Sequence, residues 1–186
     1  MTDVVGKKVG SPVLYHFGLT VRDLERSVAF YRDVVGMRVL PPDAPSVTVA
    51  AGADRSVESL PDGTSVLRLR SAAFATLTEN ANAELLVAHL GAGPLVLQVI
   101  EYVSGGGKAA DVLHRNPGTA HLCFFVDDVE AKRGELLASG AAPRMSVLVD
   151  ISPIHRSFYV EDPDGVPVEF LQERDRGRVV RSVTHA

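Results

Sequence analysis

From residue 13 to residue 21 apolar and polar positions alternate with period two. His16, Gly18 and Thr20 share one side while Tyr15, Phe17, Leu19 and Val21 share the other, which predicts a strand. The period then lengthens. Leu24, Val28, Phe30, Tyr31 and Val35 recur near helical spacing, Asp23 is a good N-cap, and Gly36 suits the position just past a helix end. The capping box is incomplete, with Arg26 where Glu or Gln would serve. Met37 to Leu40 predicts a second strand, stopped by Pro41-Pro42. Between Asp43 and Gly63 the pattern is weaker, with a short strand over Val47–Ala50 and a loop or single helical turn over Asp54–Leu60. Ser65–Leu77 reads as one long strand, Glu84–Leu90 as another, and Pro94–Val103 as a third. In this last strand Gln98, Ile100 and Tyr102 face one way, and Leu97, Val99 and Glu101 the other.

The opening pattern then returns. A constant offset of 105 residues separates His16 from His121, Val21 from Val126, Asp23 from Asp128 and Glu25 from Glu130. The second copy predicts a strand over 119–126, a helix over 128–140 ending at Gly140, and strands around 144–149 and 155–160. The turn Asp162-Pro163-Asp164-Gly165 then leads to a final strand, Pro167–Gln172. A repeat of this length marks an internally duplicated unit. The organisation expected is an N-terminal tail over 1–12, a first module over 13–103, a flexible linker over 104–118, a second module over 119–172 and a C-terminal tail over 173–186. Each module reads as a strand and a helix followed by strands, a mixed α+β architecture. The first is longer, with 82 residues from His16 to Gln98 against 48 from His121 to Glu169, so it carries an insert.

Composition narrows the setting. The 186 residues are 46% hydrophobic and 23% charged, the range of an ordinary globular domain. A net charge of −4 without a basic block argues against a nucleic-acid surface, and no apolar run is long enough for a membrane span. The first residues lack the apolar core of a secretory signal, so a cytoplasmic location is expected. Cys123 is the sole cysteine and excludes an intrachain disulfide; its apolar strand predicts a small buried side chain. Ser104-Gly105-Gly106-Gly107-Lys108 lacks the strand and helix context of a phosphate-binding loop and reads as linker.

The repeat places one histidine at the same point of the first strand in each copy. The last strand of each module also carries a polar residue among apolar ones, Gln98 and Glu169. A carboxylate in such a strand needs a cation or donors beside it. Two histidines, a carboxylate and an amide oxygen are suitable ligands for a divalent metal. Glu101, near Gln98, falls on the opposite face.

These motifs resemble the vicinal oxygen chelate superfamily, which holds glyoxalases, methylmalonyl-CoA epimerases, extradiol dioxygenases and fosfomycin- and bleomycin-resistance proteins. The resemblance spans residues 13–172 and rests on His16, Val21-Arg22-Asp23-Leu24-Glu25, Phe30-Tyr31 and Gly36, then on Asp162-Pro163-Asp164-Gly165 and Val168-Glu169-Phe170. It implies two βαβββ modules paired as a cupped sheet around one metal, with His16, Gln98, His121 and Glu169 as ligands. The ion implied is one divalent metal per chain, Fe, Co, Ni, Mn or Zn. This ligand set is most similar to that of the methylmalonyl-CoA epimerases. It implies proton transfer beside a carbonyl through a metal-stabilised enolate, with Glu169 as ligand and base together. The substrate implied is small and oxygen-rich, and a homodimer is common among look-alikes.

Two other readings stay open at this point. A ring-cleaving dioxygenase would use His16, His121 and Glu169 around Fe(II), with His155 as acid–base histidine, although His155 stands closer to Phe158 than that pattern wants. A metal-free binding protein, like the bleomycin-resistance members, is the third; retention of all four ligand-type residues argues against it. Glu58 is a candidate second base, and Arg68, Arg70 and Tyr102 are candidate pocket residues.

Overall fold

A computed structural model describes residues 14–44, 53–141 and 144–174. The expected strand over Val47–Ala50, the tail over 1–12 and nearly all of the tail over 173–186 lie outside the described residues. The fold is α+β and consists of two open sheets. Among the described residues the first has six strands: β1 (Phe17–Val21), β2 (Arg38–Leu40), β3 (Asp54–Ser59), β4 (Ser65–Arg70), β5 (Glu84–Ala92) and β6 (Leu95–Ser104). The main path runs β1-β6-β5-β4-β3, with β2 also paired to β5. The second has four strands in the order β7-β10-β9-β8, from β7 (Leu122–Phe125), β8 (Val149–Asp150), β9 (His155–Glu161) and β10 (Pro167–Glu173). Both sheets follow one plan. The first strand lies parallel to the last, β1 on β6 and β7 on β10, and the last two strands form an antiparallel hairpin.

The repeated helices begin and end by the same chemistry. Helix α1 (Leu24–Ala29) is capped by Asp23, whose side chain accepts from Arg26 N at 3.0 Å. Asp128 does the same for the helix that opens the second module, accepting from Ala131 N at 2.9 Å. The first N–H of each helix is also taken up by the last strand of its own module. Leu24 N donates to Glu101 Oε2 at 2.7 Å and Val129 N to Gln172 Oε1 at 3.4 Å. Glu101 is thus a helix cap on the far side of the strand from Gln98. Gly36 and Gly140 close the two helices with left-handed backbone, φ 94° and 64°.

Three expectations are corrected. After Ala29 the first helix widens into π-helical turns over Phe30–Val35, burying Phe30, Tyr31 and Val34. The long strand expected over Ser65–Leu77 stops at Arg70, because Ser71 accepts a bond from Phe74 N and starts helix α2 (Ala72–Leu77). Asp54–Ser59 is a strand, paired residue for residue with β4. Strands β3 and β4 with α2 are the insert of the first module. The helix of the second module, α3 (Val129–Ser139), needs no such change.

One apolar core runs through both modules, from Leu24, Val28 and Tyr31 to Phe158, Val168 and Phe170. Polar contacts fasten the modules at one point. The buried Tyr31 hydroxyl donates to Asp162 Oδ2 at 3.0 Å, and Arg22 bonds Asp164 through its backbone N and its guanidinium. The Asp-Pro-Asp-Gly turn therefore holds the second module to the first helix. The linker is pinned as well: Asn80 Nδ2 donates to Gly105 O and Ser104 Oγ to Asn82 O, both at 2.7 Å. Gly105, at φ +75°, has the Asn80 amide where a Cβ would stand.

Candidate functional site

Gln98 sits in the middle of β6, in register with Gly18 on β1 and His89 on β5. Its neighbours Leu97 and Val99 are fully buried in the core, so strand alternation turns Gln98 to the open face of the sheet. His16, two residues before Gly18, belongs to the same face. Gln98 Nε2 lies 3.0 Å from His89 Nε2. His89 is only 5% exposed, and this burial, with nearby His16, lowers its pKa to about 4. At neutral pH it is an uncharged imidazole.

The second sheet repeats this arrangement with other side chains. Glu169, in the middle of β10, is in register with Cys123 on β7 and Tyr159 on β9. It is 7% exposed. Tyr159 donates its hydroxyl to Glu169 Oε2 at 3.0 Å, and His121 Nε2 approaches the same oxygen at 3.5 Å. Partial burial and the bond to Glu169 push the Tyr159 phenol up to about 12, so it stays a donor. Partial desolvation of the sulfur, with the charge of Glu169 beside it, likewise pushes the Cys123 thiol up to about 12. Cys123 is exposed, against the expectation of a buried side chain, because β7 turns His121, Cys123 and Phe125 outward together. From the linker, His114 brings its ring within 5.4 Å of His121 and 5.2 Å of Tyr159, centroid to centroid.

The four residues expected as ligands therefore fall into two pairs. His121 meets Glu169, and His16 shares a face with Gln98 and the buried His89. Among the described residues no group of three or more His, Cys, Asp or Glu side chains converges as a metal site. The two pairs are half-sites, one on each sheet. Their donor types, imidazole nitrogen with carboxylate or amide oxygen, fit a first-row divalent cation.

The remaining candidates are placed elsewhere. His155 is on the same face as Tyr159 but four residues along β9, about 13 Å away at ordinary strand rise, with Nδ1 on Ser152 Oγ. Glu58 is ion-paired with Arg68, which holds its carboxyl below the usual range; Arg68 and Arg70 both also pair with Glu84. These groups brace the insert. Tyr102 lines a cavity of about 650 Å³ with Thr20, Asn80, Lys108 and Val112, on the side of β1 and β6 that carries Gln98.

Sequence reasoning missed His89, Tyr159 and His114. Hairpin register could have found the first two: the Gly93-Pro94 turn sets His89 opposite Gln98, as the Asp-Pro-Asp-Gly turn sets Tyr159 opposite Glu169. His114, on an irregular segment, carries no such signal.

Known proteins agree with this architecture. A sequence profile of the Glyoxalase/Bleomycin resistance protein/Dioxygenase superfamily matches residues 13–170. The lactoylglutathione lyases of Escherichia coli O157:H7 and Shigella flexneri are each 25% identical over 170 residues, covering 89% of this chain and 96% of theirs. Among solved structures, a glyoxalase family protein from Bacillus cereus superposes with a TM-score of 0.65 at 12% identity, over 89% of this chain and 97% of its own. The trypanothione-dependent glyoxalase I of Leishmania major does so at 0.53 and 20% identity, over 92% and 94%. No helix among the described residues is long and apolar enough to cross a membrane. With its duplicated β-α-β framework and a profile match across most of its length, the chain belongs to the glyoxalase/bleomycin resistance/dioxygenase, or vicinal oxygen chelate, superfamily.

Proposed function

We propose that this chain is a metal-dependent enzyme of the glyoxalase type that moves a proton beside a carbonyl of a small oxygen-rich substrate. We further propose that its sites are shared between two copies: His16 and Gln98 of one chain face His121 and Glu169 of its partner. The observation that carries this is the pair of half-sites. Each has a histidine and an oxygen-bearing residue at repeat-related positions, each lies on an open sheet face, and among the described residues no three His, Cys, Asp or Glu side chains come together as one group. Phe125, Val147, Val149 and Ile151 are exposed apolar side chains on the second module, surface that a partner would cover.

His16, Gln98, His121 and Glu169 would hold the cation. When bound, it supplies electrophilic stabilisation of negative charge on a substrate oxygen. The chain's own chemistry centres on Glu169, which takes a proton from carbon and returns it. Tyr159 fixes Oε2 of that carboxylate and keeps it in one orientation. The cavity beside Tyr102 and Lys108 accommodates the rest of the substrate. The curated relatives are named lactoylglutathione lyases, so lactoylglutathione is the first compound to test. The ring-cleaving reading is the weaker one, since His155 stands far along β9 from Glu169.

Elemental analysis of purified native protein, with His16→Ala and Glu169→Ala variants, tests the metal. The expected result is about one first-row divalent metal per chain, lost in both variants. No metal in native protein, even after reconstitution with each ion, contradicts the reading and leaves a binding protein.

A further inference from the structure

A side-chain amide is an awkward metal ligand, because only its oxygen can bind and its two ends are alike in shape. A carboxylate at the same place has no wrong end. Gln98 therefore needs something that Glu169 does not, namely a neighbour that decides which end faces the site. The structure holds that neighbour on the next strand. Gln98 Nε2 is 3.0 Å from His89 Nε2. An amide nitrogen only donates, so the imidazole nitrogen facing it accepts, and the ring carries its proton on Nδ1. His89 is buried, and leaving its lone pair unmatched would be costly. Each group thus satisfies the other. The opposite pairing, an Nε2–H donating to the amide oxygen, would turn an NH2 group with no lone pair toward the open face.

The repeat gives independent support. His89 stands across the hairpin from Gln98 as Tyr159 stands across the hairpin from Glu169. In the second module a hydroxyl donor meets a carboxylate, and in the first an acceptor nitrogen meets an amide. Each partner suits the residue it holds, and what remains for the site in both modules is an oxygen.

We infer that His89 is a positioning residue: it holds the Gln98 amide nitrogen and so presents Oε1 to the open face as a metal ligand. This rests on the metal reading above. It also identifies why an uncharged histidine is buried beside a candidate ligand that it does not replace.

The test exchanges the logic of the two modules. His89→Phe deletes the acceptor, so the Gln98 amide is no longer held by its nitrogen and divalent metal binding weakens by about 10- to 100-fold, the usual effect of losing a ligand's outer partner. The double variant H89Y/Q98E copies the Tyr159–Glu169 pair into the first module and recovers binding to within about threefold of native by the same reasoning. Cobalt(II) titration followed by its visible absorption measures all three proteins, and thermal melts check that each is folded. Native protein that binds cobalt while H89F binds equally well overturns the inference alone. A double variant as weak as H89F also overturns it, since a merely structural histidine would fail in both backgrounds. Native protein that binds no metal overturns the reading beneath it. One readout needs no metal: imidazole nitrogen NMR of the apo protein should show His89 protonated on Nδ1, and protonation on Nε2 would overturn the assignment.

Discussion

Glu169 is buried among apolar neighbours and is kept there by three side chains of different chemistry. Tyr159 donates to it, His121 stands at 3.5 Å, and Cys123 leans on it from β7. Burying a carboxylate without such partners is costly, so the cluster explains how the second module tolerates it. Tyr159→Phe keeps the ring and deletes the donor. Metal affinity should fall about 10- to 100-fold with the fold intact, read by metal titration beside a thermal melt. Glu169→Gln removes the proposed proton acceptor itself, and turnover should fall by about 10²- to 10⁴-fold in steady-state kinetics. Glu58→Gln should leave turnover unchanged, because that carboxylate is committed to Arg68 on the insert.

Between elements, the Asp-Pro-Asp-Gly turn does more than reverse the chain. Asp162 Oδ1 accepts from Asp164 N and Val166 N, both at 2.8 Å, while Oδ2 accepts from Tyr31 in the first helix. Tyr31→Phe leaves a buried carboxylate oxygen without its donor and should cost about 1–3 kcal/mol of stability, measurable by urea denaturation. Burial, with the charge of Asp164, raises the Asp162 pKa above the usual carboxylate value, against the pull of its hydrogen bonds. A raised folded-state value means that the native state holds this proton more tightly than the unfolded chain. The stabilisation is full below the ordinary aspartate pKa and is lost as pH rises through the folded value. Asp162→Asn removes that titration and replaces the oxygen that accepts from Tyr31 by an amide NH2, which can donate to the hydroxyl instead. The variant should therefore gain on native protein as pH rises above the ordinary aspartate pKa, and a gap that stays constant would contradict the assignment.

At the scale of the molecule, much was legible because it is local or repeated. The helix caps Asp23 and Asp128, the closing glycines, and the division of Gln98 from Glu101 all follow from period and spacing. The wider turns after Ala29 were not legible, since tertiary packing of Phe30, Tyr31 and Val34 decides them. Nor was the break at Ser71, where one hydroxyl cap outweighs an apolar run with strand character. His89 and Tyr159 escaped notice because cross-strand partners are set by hairpin register and not by local pattern. The repeat brought His16, Gln98, His121 and Glu169 to attention, but a sequence does not say whether four such residues meet within one chain.

Complementation answers that question most directly. One variant lacks His16 and Gln98, the other lacks His121 and Glu169, each through alanine substitution. Separately, neither should retain metal. Unfolded together and refolded as an equal mixture, half of the pairs combine one chain of each kind, and each such pair owns one intact site. The mixture should then recover about a quarter of the native metal content per chain. A mixture that stays as empty as its parts, beside native protein that refolds and binds metal, would contradict sites shared between chains.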